Sequence, residues 1–141
     1  PAFDSGFPVD MAIFRKPDST ADNNITTRLL GATILVANEI DDESNDGWTD
    51  KDSNVGYGEN FDSDYMSWMF RRAPGFFDVA VYEGDGNPSK SIAHNLGAVP
   101  ELMIIKQRDA TRSWAVYSSI TGTGKFLKLE ECFWVSLYTL G

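Results

Sequence analysis

An all-β fold of short antiparallel strands, arranged in sandwich-like units in tandem, is what this sequence predicts, and three observations carry the prediction. Between Ser67 and Tyr117 four short apolar runs are separated by Gly, Pro, Asn and Asp, the punctuation of strands joined by tight turns. Within several runs apolar residues recur with a period of two, as a strand with one buried face requires. Twelve glycines and six prolines favour all-β architecture, while 42% hydrophobic and 13% aromatic content are too high for a disordered chain.

Val9–Lys16 (VDMAIFRK) reads as the first strand and stops at Pro17, which cannot donate to a ladder. Asp18–Thr27 is rich in Asp, Asn, Ser and Thr, whose side chains bond their own backbone, and reads as a loop. Thr33–Asn38 is the second strand, and Asp41–Asn60 a long polar excursion. Tyr65–Phe70 resumes regular structure with Met66, Trp68 and Phe70 on one face and Ser67, Met69 and Arg71 on the other. Pro74-Gly75 breaks it, and Phe77–Tyr82 is expected to be a further strand with Phe77, Val79 and Val81 inward, ended by the turn composition of Glu83–Pro88. Glu101–Gln107 is almost continuously apolar, which suits a strand covered on both faces or lying centrally in a sandwich. Ser113–Tyr117 and Lys125–Leu129 complete a meander with it, and Cys132–Gly141 is apolar, an aggregation-prone edge if left uncovered.

The chain of 141 residues suits one ordinary domain or two small units. Its formal net charge of −9 speaks against a surface that tracks a phosphate backbone, so no nucleic-acid partner is expected. Nearly all of that charge is local: between Asp41 and Asp64 nine acids face a single Lys51. The one cysteine, Cys132, cannot form an internal disulfide or a multi-cysteine zinc site. No apolar stretch is long enough to insert in a membrane as a helix.

A slide of the chain by 91 positions places Gly6, Ile13, Asp18 and Thr20 on Gly97, Ile104, Asp109 and Thr111, and one further residue of offset puts Ile34-Leu35 over Phe126-Leu127. This suggests an internal repeat. The expected organisation is a first β unit over 1–71 with the acidic loop 41–64, a connecting strand and turn over 72–96, and a second, incomplete β unit over 97–141.

The phrase His94–Lys106 (HNLGAVPELMIIK), followed by Arg108-Asp109 and Trp114-Ala115-Val116-Tyr117, resembles a repeated β domain of tailed-bacteriophage structural proteins, notably tail-fibre and appendage proteins of phages of aquatic bacteria. The resemblance extends to Arg71–Val79 (RRAPGFFDV) and Gly124–Leu129, and covers residues 60–130 best. It implies a virion protein rather than an enzyme, partnered by copies of itself, as in fibre trimers, and by neighbouring virion proteins. In the resembled pattern the second unit ends on a strand like Tyr65–Phe70, from which Cys132–Gly141 departs. Capsid decoration, or a host-glycan or calcium-dependent binding module, are the competing readings.

Candidate sites are few. Asp42, Ser44, Asp46 and Asp50 stand at positions 1, 3, 5 and 9 of a calcium-loop spacing with Gly47 at 6, but Ser53 replaces the bidentate glutamate at 12. Carboxylates this dense are either neutralised by calcium or held apart in water. Trp48 and Tyr57 in the same loop are candidates for stacking on a sugar, whereas Trp68 and Trp114, inside apolar strands, are expected in the core. His94 has no nucleophile elbow nearby and reads as a hydrogen-bonding turn residue. Gly122–Phe126 lacks the first glycine and the hydroxyl residue of a phosphate loop, with Ser119 and Phe126 in their places.

Overall fold

The structure is a computed structural model that describes residues 4–45, 64–131 and 138–139. Among these residues it is all-β, with no α-helix and a single 3-10 turn. The strands are β1 (Met11–Arg15), β2 (Asn24–Thr27), β3 (Thr33–Val36), β4 (Ser44–Asn45), β5 (Met66–Phe70), β6 (Leu102–Ile105), β7 (Ala115–Ser118), β8 (Lys125–Lys128) and β9 (Tyr138–Thr139). They form a five-stranded sheet of order β4-β3-β2-β1-β5 and a four-stranded sheet of order β6-β7-β8-β9, every pair antiparallel.

The first sheet is built on the period-two pattern of β1. Ala12 and Phe14 point to one face, where they are buried with Val9 and Ile34 and flanked by Phe7 and Met69. Met11 and Ile13 point to the other, beside Ile25, Leu30 and Leu35. Burial of a side chain such as Phe14, 1% exposed, is worth roughly 1.5–3 kcal/mol. The polar stretch after Pro17 ends earlier than its composition suggests, because Ile25, Thr26 and Thr27 are β-branched and buried and so form β2. Thr27 then turns the chain: its Oγ1 accepts from the Leu29 amide at 3.2 Å over the 3-10 turn Arg28–Leu30, which closes at Gly31 with φ of 65°.

The second sheet repeats the first in order and register. The bounds of β2 shifted by 91 are those of β7, and the bounds of β3 shifted by 92 are those of β8. Ile13 opposite Ile25 becomes Ile104 opposite Val116, and Ile25 opposite Leu35 becomes Val116 opposite Leu127. β9 lies beside β8 as β4 lies beside β3, with Lys125 opposite Thr139 as Thr33 is opposite Asn45. The correspondence ends at one place. β5 pairs with the outer side of β1, whereas among the described residues no strand pairs with the outer side of β6.

Two expectations are corrected here. Phe77–Tyr82 is not a strand; its one bridge joins Phe77 to Ala73. Glu101–Gln107 does yield β6, but as an edge strand whose four apolar residues are all exposed, not as a covered one.

Candidate assembly interface

β6 is held in place by a clasp between the segment after β3 and the loop between β6 and β7. Trp114 leaves the second sheet to lie against Ile25, Leu30 and Leu35 of the first, 4% exposed. Its indole Nε1 donates to the carbonyls of Val36 at 2.9 Å and Glu39 at 3.1 Å, so the polar edge of a buried ring is satisfied. Glu43 accepts from Arg108 through Nε at 2.8 Å and Nη2 at 2.7 Å, and the Glu43 amide donates to the Arg108 carbonyl at 2.7 Å. The Arg112 amide donates to the Ile40 carbonyl at 2.9 Å. Lys106 closes the clasp by donating to the carbonyls of Ile40, Gln107 and Ala110. Burial pushes the Lys106 ammonium below its ordinary pKa, while Asp42, Asp41 and Glu130 pull it back up.

The clasp orients β6 but does not cover it. Leu102 is 60% exposed, and Met103, Ile104 and Ile105 are each more than a third exposed. Their counterparts in β1 are Met11, Ala12, Ile13 and Phe14, of which Ala12 and Phe14 are wholly buried. The same backbone arrangement thus yields a core strand once and an open apolar edge once. The difference is what stands beside and above it.

A second apolar element lies open upstream. Pro74-Gly75, with Gly75 at φ of 72°, reverses the chain after β5, and the Ala73–Phe77 bridge closes the turn. The Gly75 amide donates to the Leu96 carbonyl at 2.7 Å, and Asp78 accepts from the amides of Val79 and Asn95, which fix the start of the following segment. From there Ala80, Val81 and Tyr82 run exposed, without secondary structure. On β5 itself Met66 and Trp68 are also exposed, so the expectation that Trp68 is core is corrected: it is 44% exposed. Its neighbour Met69 points to the opposite face and packs on the core.

Of the candidate calcium ligands, Asp42 and Ser44 are described and Asp46 and Asp50 lie outside the described residues, as do Trp48 and Tyr57. Ser44 is in β4 opposite Ile34, and Asp42 lies in the field of the Lys106 cation. Among the described residues no three His, Cys, Asp or Glu side chains are grouped to hold a metal ion. At the far end of the acidic segment, Asp64 is held below its ordinary pKa chiefly by the hydrogen bond from Lys16. His94 is exposed, and its Nδ1 accepts from the Leu96 amide at 3.3 Å within a turn. The open edge of β6 was missed in the sequence because four successive apolar residues carry no mark of whether anything covers them.

No curated protein and no solved structure matches the chain. One family model does, over residues 32–133, a span that runs from the start of the first sheet's β3 through the clasp, the exposed segment and β6 to β8. The chain therefore belongs to the DUF7483 family, described as a domain of unknown function.

Proposed function

We propose that this chain is a structural protein of a tailed-phage particle, a tail-fibre or appendage component that works by self-assembly and attachment to its neighbours. The observation that carries the reading is β6, an edge strand with four consecutive exposed apolar residues. Proteins that stay monomeric keep such edges short, charged or covered, because an open ladder pairs with whatever chain it meets. An assembling protein keeps the edge for its partner, and main-chain hydrogen bonds then supply the contact. The phage setting comes from the resemblance of His94–Lys106 and Arg71–Val79 to phage structural domains, and is an argument by analogy.

Serum raised against the chain, used for gold labelling of intact particles in the electron microscope, tests the proposal. Label along tail appendages is the expected result. Label over the head would make the chain a capsid decoration protein. Bare particles, with the serum recognising only the host lysate, would overturn the virion reading.

A further inference from the structure

Between Asp78 and Asn95 the chain leaves the fold and returns to the point of departure. The Asn95 amide donates to Oδ2 of Asp78 at 2.6 Å, and the Gly75 amide donates to the Leu96 carbonyl at 2.7 Å, so the two ends of Val79–His94 are pinned side by side. Ends that already meet need only a short turn to join them, yet sixteen residues are carried out and back. Every residue from Ala80 to Ser91 is exposed, and none is in a strand or helix. The excursion has the form of an Ω-loop, a shape that serves something other than connection.

We propose that this loop is a site of limited proteolysis, cut after Lys90 by a protease that accepts lysine, and that the two pieces stay bound to each other through the clasp. The step is hydrolysis. One water adds across the Lys90–Ser91 amide, the C–N bond breaks, Lys90 takes the new carboxylate and Ser91 the new amine. Exposed loop tips of small and polar residues are where chains are nicked, because a protease must draw out backbone that no ladder holds. The bonds that shape this tip are all local. The Asn87 amide donates to Asp85, the Ser89 amide to the Asn87 side chain, and the Lys90 amide to the Asn87 carbonyl, while the Lys90 ammonium reaches the Glu83 carbonyl and the Asp85 carboxylate. Among the described residues, every hydrogen bond of Ala80–Ala93 stays within that segment, so opening the tip costs neither sheet a contact. The other described lysines are placed differently. Lys125 and Lys128 lie in β8, Lys106 donates to three carbonyls of the clasp, and Lys16 is paired with Asp64 and followed by Pro17.

The contacts that join the two sheets cross the cut. Residues up to Lys90 hold Ile25, Leu30 and Leu35, the carbonyls of Val36, Glu39 and Ile40, and the Glu43 carboxylate, while residues from Ser91 onward bring Trp114, Arg108 and Lys106 to them. Both pins of the loop, at Asp78 and at Gly75, cross it as well. Cleavage therefore turns an intramolecular docking into a bimolecular one, sensitive to dilution but with its contacts unchanged. A buried tryptophan and a two-pronged Arg–carboxylate pair are the kind of contact that dominates such an interface. Cutting alters the surface and leaves both sheets in place.

Brief digestion of the whole folded chain by a lysine-specific endoprotease tests this, in a background of Lys51→Gln, which removes the one lysine outside the described residues. Mass spectrometry is expected to find Lys90–Ser91 cut first, and Lys90→Gln to remove that early product without hastening any other. The cut chain should run as two pieces on a denaturing gel and sediment at micromolar concentration as one particle of the uncut mass. In the same cut background, Trp114→Phe keeps the ring and loses the donor, and should move the concentration at which the pieces part upward by about tenfold. A first cut at Lys16, Lys106, Lys125 or Lys128 would overturn the loop as the site. Pieces that separate at micromolar concentration, or a Trp114→Phe chain that parts no more readily than the wild type, would overturn retention by the clasp.

Discussion

Trp114 reaches from the start of β7 to the face of the first sheet, and two different contributions meet in it. Its ring fills the space between Ile25, Leu30 and Leu35, and its N–H satisfies the Val36 and Glu39 carbonyls. Truncation of a buried aromatic to Ala costs about 3–5 kcal/mol, whereas loss of a donor from a buried acceptor costs about 1–3 kcal/mol. Trp114→Ala is therefore expected to lower stability to urea by about 3–5 kcal/mol, and Trp114→Phe by about 1–2 kcal/mol, since the ring is largely kept. Equal losses in the two variants would mean that the hydrogen bonds, not the packing, dominate. Lys106 gives a prediction of opposite character. Its pKa is lowered in the fold, mainly by burial, so between that lowered value and the ordinary 10.5 the unfolded chain binds more proton than the folded one. Stability contributed by this group rises with pH through that window, because a charge that folding disfavours is being removed. The difference in urea midpoint between wild type and Lys106→Met, followed through the window just below 10.5, should shift in favour of wild type as pH rises. A difference that stays flat or moves the other way would show that the three carbonyl bonds outweigh burial.

At the scale of single elements, the sequence was legible where the pattern is local and opaque where a partner decides. β1, β3, β5 and β8 fall inside the runs that alternation and Gly/Pro punctuation mark, and β7 overruns its run by one residue, Ser118, because those signals report backbone preference directly. β2 was hidden by its polar context, Asn23 and Asn24 before Ile25, although Thr26 and Thr27 are good strand residues once buried. Phe77–Tyr82 has the alternation of a strand, but alternation specifies faces and not a neighbour. Trp68 and Trp114 look alike in the sequence and differ tenfold in exposure, 44% against 4%, because only the second meets an opposing sheet. For the candidate site, the sequence located the apolar face of β5 yet could not mark β6 as an edge. The calcium spacing falls mostly on residues outside the described part of the chain. The turn after β5 allows a clean test of local chemistry. Gly75 has φ of 72° and nothing within 4 Å of an added Cβ, so Gly75→Ala meets only the backbone penalty of the left-handed region. That penalty is about 1–2 kcal/mol, and the variant should lose about that much in a denaturant titration. A neutral outcome would show that the turn relaxes without Gly75.

On the scale of the whole molecule, the two sheets share strand order and register but differ in how much core their described residues supply. Among the described residues Val9, Ala12, Phe14, Ile25, Leu30, Ile34 and Leu35 are buried in the first, while the second contributes Trp114 and Val116. Trp114 is spent on the first sheet's face, so the second sheet depends on docking through the clasp of Trp114, Glu43–Arg108 and Lys106. Elements with little core of their own open at lower free energy than the rest. Amide hydrogen exchange should therefore show β7 and β8, at Val116 and Leu127, protected less than β1 and β2, at Ala12 and Thr26. Equal protection in both sheets would mean that the repeat folds as two self-sufficient halves, with the clasp adding little to the second.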